Sequence, residues 1–172
     1  MFNRMLAALV LGLVLAPGAL AHGPTPQSAE ETVTIAASAD AVWAVLKDFA
    51  SLASWHPLVA ACSGKGDERN VTLKSGGVLV DSLDEVKAGE RSYSYRLLRE
   101  NIEAFPVSFY TATVVVKPTG ADTSEVTWSA HFYRGDTTNE PPDSLNDAAA
   151  VAAMKNFFST GLKGLKEEVE KR

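Results

Sequence analysis

Between residues 32 and 133 the chain contains seven short stretches in which apolar and polar residues alternate, and this alternation is typical of β-strands. Turn-forming sequences separate them, such as GKGD at residues 64–67 and PTGA at residues 118–121. The last six strands follow one another with short connections, which favours an antiparallel meander. The predicted strands are residues 32–36, 59–63, 70–73, 78–85, 91–98, 109–117 and 124–133.

A short helical region follows the first strand. Ser38 is a typical N-cap residue, and Val42 and Val45 come after it at helical spacing. A second helical turn at residues 51–55 ends before Pro57, because the residue that precedes a proline is forced out of the α region. The sequence therefore predicts two short helices between the first and second strands.

The last predicted element is a long amphipathic helix from about residue 145 to the end of the sequence. Its apolar residues are three or four positions apart, so they form one stripe. Gly161 and Gly164 each lower the helix propensity by about 1 kcal/mol relative to alanine. They either allow another element to approach the backbone closely or are tolerated on the surface. The stripe consists of Val151, Met154, Phe158, Leu162, Leu165 and Val169.

This order of elements predicts an α+β domain. A curved antiparallel sheet of about seven strands can bury one face against one long helix. A sheet that wraps around a helix tends to leave a cavity between the two, and ligand sites are often found in such places. We therefore expect a cavity between the sheet and the C-terminal helix.

Aromatic residues from three strands are expected to face this cavity. Alternation along residues 124–133 places Trp128 and Phe132 on the apolar face, and Tyr95 and Tyr110 face inward by the same argument. Such a face suits a pocket for a small apolar molecule, although aromatic residues there also form ordinary core. The predicted ligand-pocket residues are Trp55, His56, Tyr95, Tyr110, Trp128, Phe132 and Phe158.

His56 lies where the second short helix meets the sheet, near the expected mouth of the cavity. An imidazole there can bind a ligand or act as a base, or it can cap the helix and bond to the backbone. The sequence contains no paired carboxylates, nucleophile elbow, phosphate-binding loop or metal-spaced His/Cys motif. We therefore predict no catalytic residues, no metal site and no cofactor. Asp81, Asp84 and Glu85 lie on or beside a strand and are expected to be solvated.

The first 21 residues predict a secretory signal peptide. Arg4 precedes an apolar run at residues 5–15, and Ala19-Leu20-Ala21 is a small-x-small cleavage site. The run is shorter than the roughly 20 residues that span a bilayer. The predicted division is a signal peptide at residues 1–21, an extended arm at residues 22–30 and a folded domain at residues 31–172, located in the periplasm.

The exported chain is acidic. Arg4 is the only charged residue in residues 1–21, so cleavage changes the formal net charge from −5 to −6. This balance argues against binding to nucleic acid or anionic lipid, both of which attract clusters of Lys and Arg. We expect no membrane insertion, and either a small-molecule ligand or a protein partner with a basic surface.

Cys62 and His22 each allow a second interpretation. Cys62 is the only cysteine, so it forms no internal disulfide, and its apolar neighbours favour a buried free thiol over a reactive one. His22 would become the N-terminal residue, where its α-amine and imidazole can chelate Cu(II). The other interpretation is a disordered arm whose first residue has no role.

The sequence also resembles the START-like (SRPBCC) superfamily of the polyketide cyclase/dehydrase type. The likeness covers residues 31–172 and lies in SADAVW at residues 38–43, WHP at 55–57, YSYR at 93–96, FPVSFY at 105–110 and VTWS at 126–129. It implies the helix-grip fold, in which a curved sheet encloses a long C-terminal helix. It does not imply one activity, because the superfamily includes binding proteins, cyclases and transport proteins.

A narrower resemblance lies in the AHGPTPQ sequence at residues 21–27, which is similar to the periplasmic MxaD-type proteins of methanol oxidation. It implies a non-catalytic accessory role beside methanol dehydrogenase and its cytochrome c, and it transfers no catalytic residues. Two other hypotheses remain: a carrier of a small apolar ligand, and an enzyme of the cyclase or dehydratase type that uses His56 and the pocket tyrosines.

Overall fold

The computed structural model describes residues 23–172, in which one seven-stranded antiparallel sheet curves around a long helix. Strands β2 to β7 form a meander, and β1 closes the opposite side by pairing with β7, which gives the order β1-β7-β6-β5-β4-β3-β2. The strands are β1 Gln27–Ile35, β2 Val59–Lys65, β3 Glu68–Leu73, β4 Val78–Lys87, β5 Ser92–Arg99, β6 Val107–Pro118 and β7 Ser124–Arg134.

Within the described residues, three α-helices accompany the sheet: α1 Ala39–Leu46, α2 Leu52–Trp55 and α3 Asp147–Glu170. The Ser38 side chain caps α1, as predicted, by accepting a hydrogen bond from the Ala41 N–H. Asn146 caps α3 in the same way. Among residues 23–172, none of the helices is both long enough and apolar enough to cross a bilayer.

Helix α3 covers the concave face of the sheet, so the predicted α+β helix-grip fold is confirmed. Most of the predicted stripe is buried, but Val151 is only half-buried. The buried face is wider than the stripe because it also includes Phe157 and the two glycines. The buried residues of α3 are Ala150, Met154, Phe157, Phe158, Gly161, Leu162, Gly164, Leu165 and Val169.

Strand β1 begins five residues before the predicted first strand. It pairs with β7 in an unbroken register from Gln27 opposite Phe132 to Ile35 opposite Ser124. Residues 27–30 of the predicted arm therefore belong to the sheet, although three of the four have polar side chains, which hides this in the sequence. The predicted signal peptide and His22 lie outside the described residues.

Candidate functional site

One half of the interior is filled by aromatic rings from β7, α2 and α3. The Trp128 and Phe158 rings are stacked with centroids 4.5 Å apart, and Phe157 meets the Trp128 edge with a centroid distance of 5.7 Å. Trp55 lies against Trp128 at 5.9 Å. These side chains and Phe132 are buried, so most of this half of the predicted pocket is packed core, with Phe157 and Phe158 at its border with an internal cavity.

Two glycines bring α3 close to this aromatic half. A Cβ atom on Gly161 would lie 2.6 Å from the His56 ring and 2.9 Å from the Trp128 ring. A Cβ atom on Gly164 would overlap the Trp55 carbonyl oxygen. The close-approach interpretation of the glycine pair is therefore confirmed, since any larger residue would push α3 away from α2.

His56 is buried here and is bonded to the backbone on both sides of its ring. Its Nδ1 accepts a hydrogen bond from the Leu58 N–H at 3.1 Å, so the proton lies on Nε2, which donates to the Phe157 carbonyl oxygen at 3.0 Å. Burial lowers the His56 pKa to about 4, although the bond to Phe157 opposes the shift. The imidazole is thus neutral, and both of its nitrogens are hydrogen-bonded to the backbone. Of the two interpretations that the sequence left open, this is the one in which His56 bonds to the backbone.

The other half of the interior contains a buried ion pair. Arg69 on β3 donates from Nε to Asp81 Oδ2 on β4 at 2.9 Å, and each side chain is only 2% exposed. Tyr110 on β6 donates its hydroxyl proton to the other carboxylate oxygen of Asp81. Burial and the Asp81 charge raise the Tyr110 pKa well above its usual value, so its hydroxyl stays protonated.

Aromatic rings and a carbonyl group hold the guanidinium of Arg69 in place. Its Nη1 donates to the Phe49 carbonyl oxygen at 2.9 Å. The central carbon of the guanidinium, Cζ, lies 3.8 Å from the centre of the Phe49 ring and 4.7 Å from the centre of the Tyr95 ring. The Tyr95 hydroxyl in turn accepts a hydrogen bond from Trp128 Nε1 at 2.9 Å, which links the two halves of the interior.

A bulge in β6 turns Tyr110 toward this ion pair. The register with β7 shifts between Ser108 and Thr111, and Phe109 has a left-handed φ of 50°. Phe109 points away from the core and is 67% exposed, while Tyr110 is buried. The bulge therefore places one aromatic ring outside and the next one against Asp81.

Two spaces meet at this polar half. An internal cavity of about 10 Å³, roughly the size that admits one water, lies against Arg69, Asp81 and Tyr110. Outside it, a groove of about 240 Å³ runs between α3 and the loops that follow β3 and β5. Phe105 and Phe157 line both spaces, and their rings touch edge to face at 5.5 Å.

The structure divides the predicted pocket residues into three groups. Tyr95, Tyr110 and Phe158 line the internal cavity. Trp128 and Phe132 are packed in the core and line neither the cavity nor the groove. Trp55 and His56 border a different, open cleft beside the C-terminal half of α3.

Two expectations about polar residues need correction. The expectation that Asp81 is solvated is wrong, because it is buried against Arg69. Cys62 is a free thiol, but it is half-buried on the edge strand β2 rather than fully buried, and burial raises its pKa. Sequence reasoning also missed Arg69, although its alternation with the apolar Val71 and Leu73 places all three on the inner face.

Residues 26–170 match the family model described as polyketide cyclase / dehydrase and lipid transport. The chain belongs to this family. The predicted START-like, polyketide cyclase/dehydrase resemblance is therefore confirmed over nearly the whole described chain. No curated protein matches the sequence.

Solved structures share the fold of this family member. The protein XoxI from Bacillus cereus is 27% identical, with a TM-score of 0.72 over 83% of this chain and 95% of that chain. The Zhui aromatase/cyclase from Streptomyces sp. R1128 is 21% identical, with a TM-score of 0.70 over 86% and 96%. A START superfamily protein from Mycobacterium smegmatis is 16% identical, with a TM-score of 0.67 over 84% and 97%. The last two likenesses establish the fold alone.

Proposed function

We propose that this protein binds a small, largely apolar molecule between its sheet and α3 and releases it unchanged. The arrangement of Phe105 and Phe157 carries the proposal, since these two rings stand between the outer groove and the internal cavity. A rotation of either side chain would join the two spaces. The groove alone is close to the lower end of the roughly 300–1,000 Å³ typical of small-molecule pockets.

The proposal is for binding rather than turnover because the polar groups of the interior are bonded to one another. His56 uses both ring nitrogens for backbone bonds, so it has no lone pair for a substrate proton. Asp81 accepts from Arg69 and from Tyr110. A general base needs a lone pair within reach of its substrate; His56 has none to spare, and the Asp81 carboxylate is already held by Arg69 and Tyr110.

The test uses the neutral fluorescent probe N-phenyl-1-naphthylamine and a matched pair of tryptophan variants on α3. Ala153 lines the groove, whereas its neighbour Ala152 is exposed. We expect the probe to bind the unaltered protein and Ala152→Trp, and to lose at least about tenfold in affinity with Ala153→Trp, because the indole fills the groove. Equal affinity for both variants, or no binding to the unaltered protein, would contradict the proposal.

We further propose that this binding protein works in the periplasm as an accessory factor of methanol dehydrogenase and its cytochrome c. The supporting observations are in the sequence: the predicted signal peptide, the AHGPTPQ sequence and the acidic net charge. An acidic protein that meets a basic partner associates faster at low salt. Methanol-dependent reduction of cytochrome c should therefore increase when the protein is added, and the increase should shrink as ionic strength rises. An unchanged rate at every salt concentration would exclude this role.

A further inference from the structure

We infer that an exposed apolar patch on the convex face of the sheet docks a protein partner whose surface is basic around an apolar centre. The patch consists of Leu98 on β5, Phe109 on β6 and Tyr133 on β7. The inference rests on the accessory role proposed above, to which it adds the surface that meets the partner. It does not involve the ligand site between the sheet and α3.

Three neighbouring strands build the patch. Phe109 is 67% exposed and Leu98 is 47% exposed. The Phe109 ring meets the half-buried Tyr133 ring at right angles, with centroids 6.5 Å apart. Arg96 pairs with Thr111, and Leu98 and Phe109 each lie two residues further toward the same end of this strand pair. The three side chains therefore share one end of the outer face.

The exposure of Phe109 is unfavourable in the isolated protein. Its ring stays in water, and its left-handed φ of 50° is uncommon for a bulky residue. Ser108 and Tyr110 on either side are buried, so the bulge holds the ring outward. Aromatic side chains of this kind provide much of the binding energy when they fill the centre of a protein–protein interface.

Two loops that start beside the patch are acidic. The loop after β5 contains Glu100 and Glu103, which are both exposed. It meets the loop after β7, where the Gly135 N–H donates to the Pro106 carbonyl oxygen at 2.9 Å. The acidic residues of this second loop are Asp136, Glu140 and Asp143. Carboxylates from both loops therefore lie at the end of the sheet that carries the patch.

Basic side chains do not balance these acids. Arg134 is buried and donates to Asp147 and to the carbonyl groups of Asp136 and Thr138. The other basic residue within residues 98–109 and 133–147 is the exposed Arg99. The apolar patch is the docking surface, and the acids select a partner that is rich in lysine or arginine. Such a cation can also bind over an exposed aromatic ring.

The test measures binding to methanol dehydrogenase and to its cytochrome c, each immobilised separately for biolayer interferometry. Phe109→Asn removes the centre of the patch. Val86→Asn is the matched control, because Val86 is 48% exposed at the opposite end of the sheet. We expect Phe109→Asn to weaken binding about tenfold or more, as is typical of an aromatic anchor, and Val86→Asn to leave it unchanged. Leu98→Asn should weaken binding too, and it replaces Phe109→Asn if thermal melts show that variant unfolded.

A second pair of variants tests the charge. Glu100→Gln with Glu103→Gln removes two charges beside the patch, and Glu85→Gln with Glu90→Gln removes two at the opposite end of β5. We expect the first pair to lower the association rate several-fold at low salt and to reduce its salt dependence. Equal effects of the two pairs would show that only the net charge matters and would overturn the inference.

The outcomes separate the inference from the accessory role. If the unaltered protein binds either partner and the folded patch variants bind it equally well, the inference is wrong and the accessory role stands. If the unaltered protein binds neither partner and does not change the rate of cytochrome c reduction, the accessory role is wrong and the inference fails with it.

Discussion

The two halves of the interior fill the space between the sheet and α3 in opposite ways. On the aromatic side, Gly161 and Gly164 let α3 approach α2 until His56 and Trp128 leave no room for a methyl group. On the polar side, Arg69 and Asp81 take the place of apolar core, and a small cavity and an outer groove remain beside them. The aromatic side thus fixes the position of the helix, and the polar side retains the space that a ligand would need.

The two halves are also expected to differ in what they contribute to stability. Close-packed apolar side chains stabilise a fold, whereas a buried ion pair often contributes little net stability compared with apolar residues of the same size. We therefore expect the close-packed aromatic side to contribute more net stability than the Arg69–Asp81 pair does. Each of the following predictions changes one of the two halves.

The largest effect is expected from Arg69→Met. Removing the guanidinium leaves the Asp81 carboxylate buried without its partner, which costs about 3–5 kcal/mol of the free energy of unfolding. A triple variant that also contains Asp81→Leu and Tyr110→Phe replaces the whole network by apolar groups and should recover most of this loss. Urea unfolding measures the free energy of unfolding of both variants. If Arg69→Met alone is as stable as the triple variant, water already solvates Asp81.

The sequence predicted the packed half better than the polar half. Trp128, Phe132 and Phe158 follow from alternation and helical spacing, because apolar residues repeat with the period of their element. Arg69 and Asp81 were missed because a charged residue on a strand is ordinarily solvated, and only their pairing across β3 and β4 makes burial possible. Arg69 lies two residues before the apolar Val71, so alternation along β3 places both on the inner face. That signal was present in the sequence, but the charge of Arg69 outweighed it.

The shape of the interior was not predictable from the sequence. A cavity was expected from the architecture, but Phe157 lies outside the predicted stripe, and its ring meets that of Phe105 edge to face at the cavity wall. How far a side chain fills a concave sheet depends on the distance between the helix and the sheet. That distance depends here on Gly161, whose missing side chain lets α3 approach Trp128 on β7, a contact between residues far apart in the sequence.

A pH titration tests the packed half through His56. Its pKa is about 4 in the folded protein and about 6.5 when unfolded, mainly because burial disfavours the charged ring, with Arg69 and Lys74 adding to the effect. The unfolded chain therefore binds more protons between these values, so stability is full above about pH 6.5 and falls by up to roughly 3 kcal/mol as pH decreases toward 4.

His56→Gln provides the control for this titration, because glutamine does not ionise. Between pH 6.5 and 4 the free energy of unfolding of the variant should decrease less than that of the unaltered protein. Equal slopes in the two proteins would mean that His56 is accessible to protons in the folded state.

Gly164→Ala should produce a moderate loss on the packed side. Helix propensity alone favours alanine by about 1 kcal/mol, but the new methyl group would collide with the Trp55 carbonyl oxygen. Overpacking of this kind typically costs about 1–3 kcal/mol, so we expect a lower thermal midpoint despite the better propensity. Gly89→Ala, where a Cβ atom meets nothing within 4 Å, is the matched control and should be nearly neutral. A stabilised Gly164→Ala variant would refute the close approach of α3.

The smallest effect is expected at the bulge that aims Tyr110 at the polar half. Phe109 is 67% exposed and has a left-handed φ of 50°, a conformation that asparagine tolerates better than phenylalanine. Phe109→Asn loses the edge contact with Tyr133, whose ring centre lies 6.5 Å away. We therefore expect between no change and about 1 kcal/mol of added stability.

Phe109→Val should be destabilising, because a β-branched residue resists a positive φ. If Phe109→Asn keeps its stability, the bulge positions Tyr110 through its backbone. A loss of stability would mean that the exposed ring itself supports the polar half.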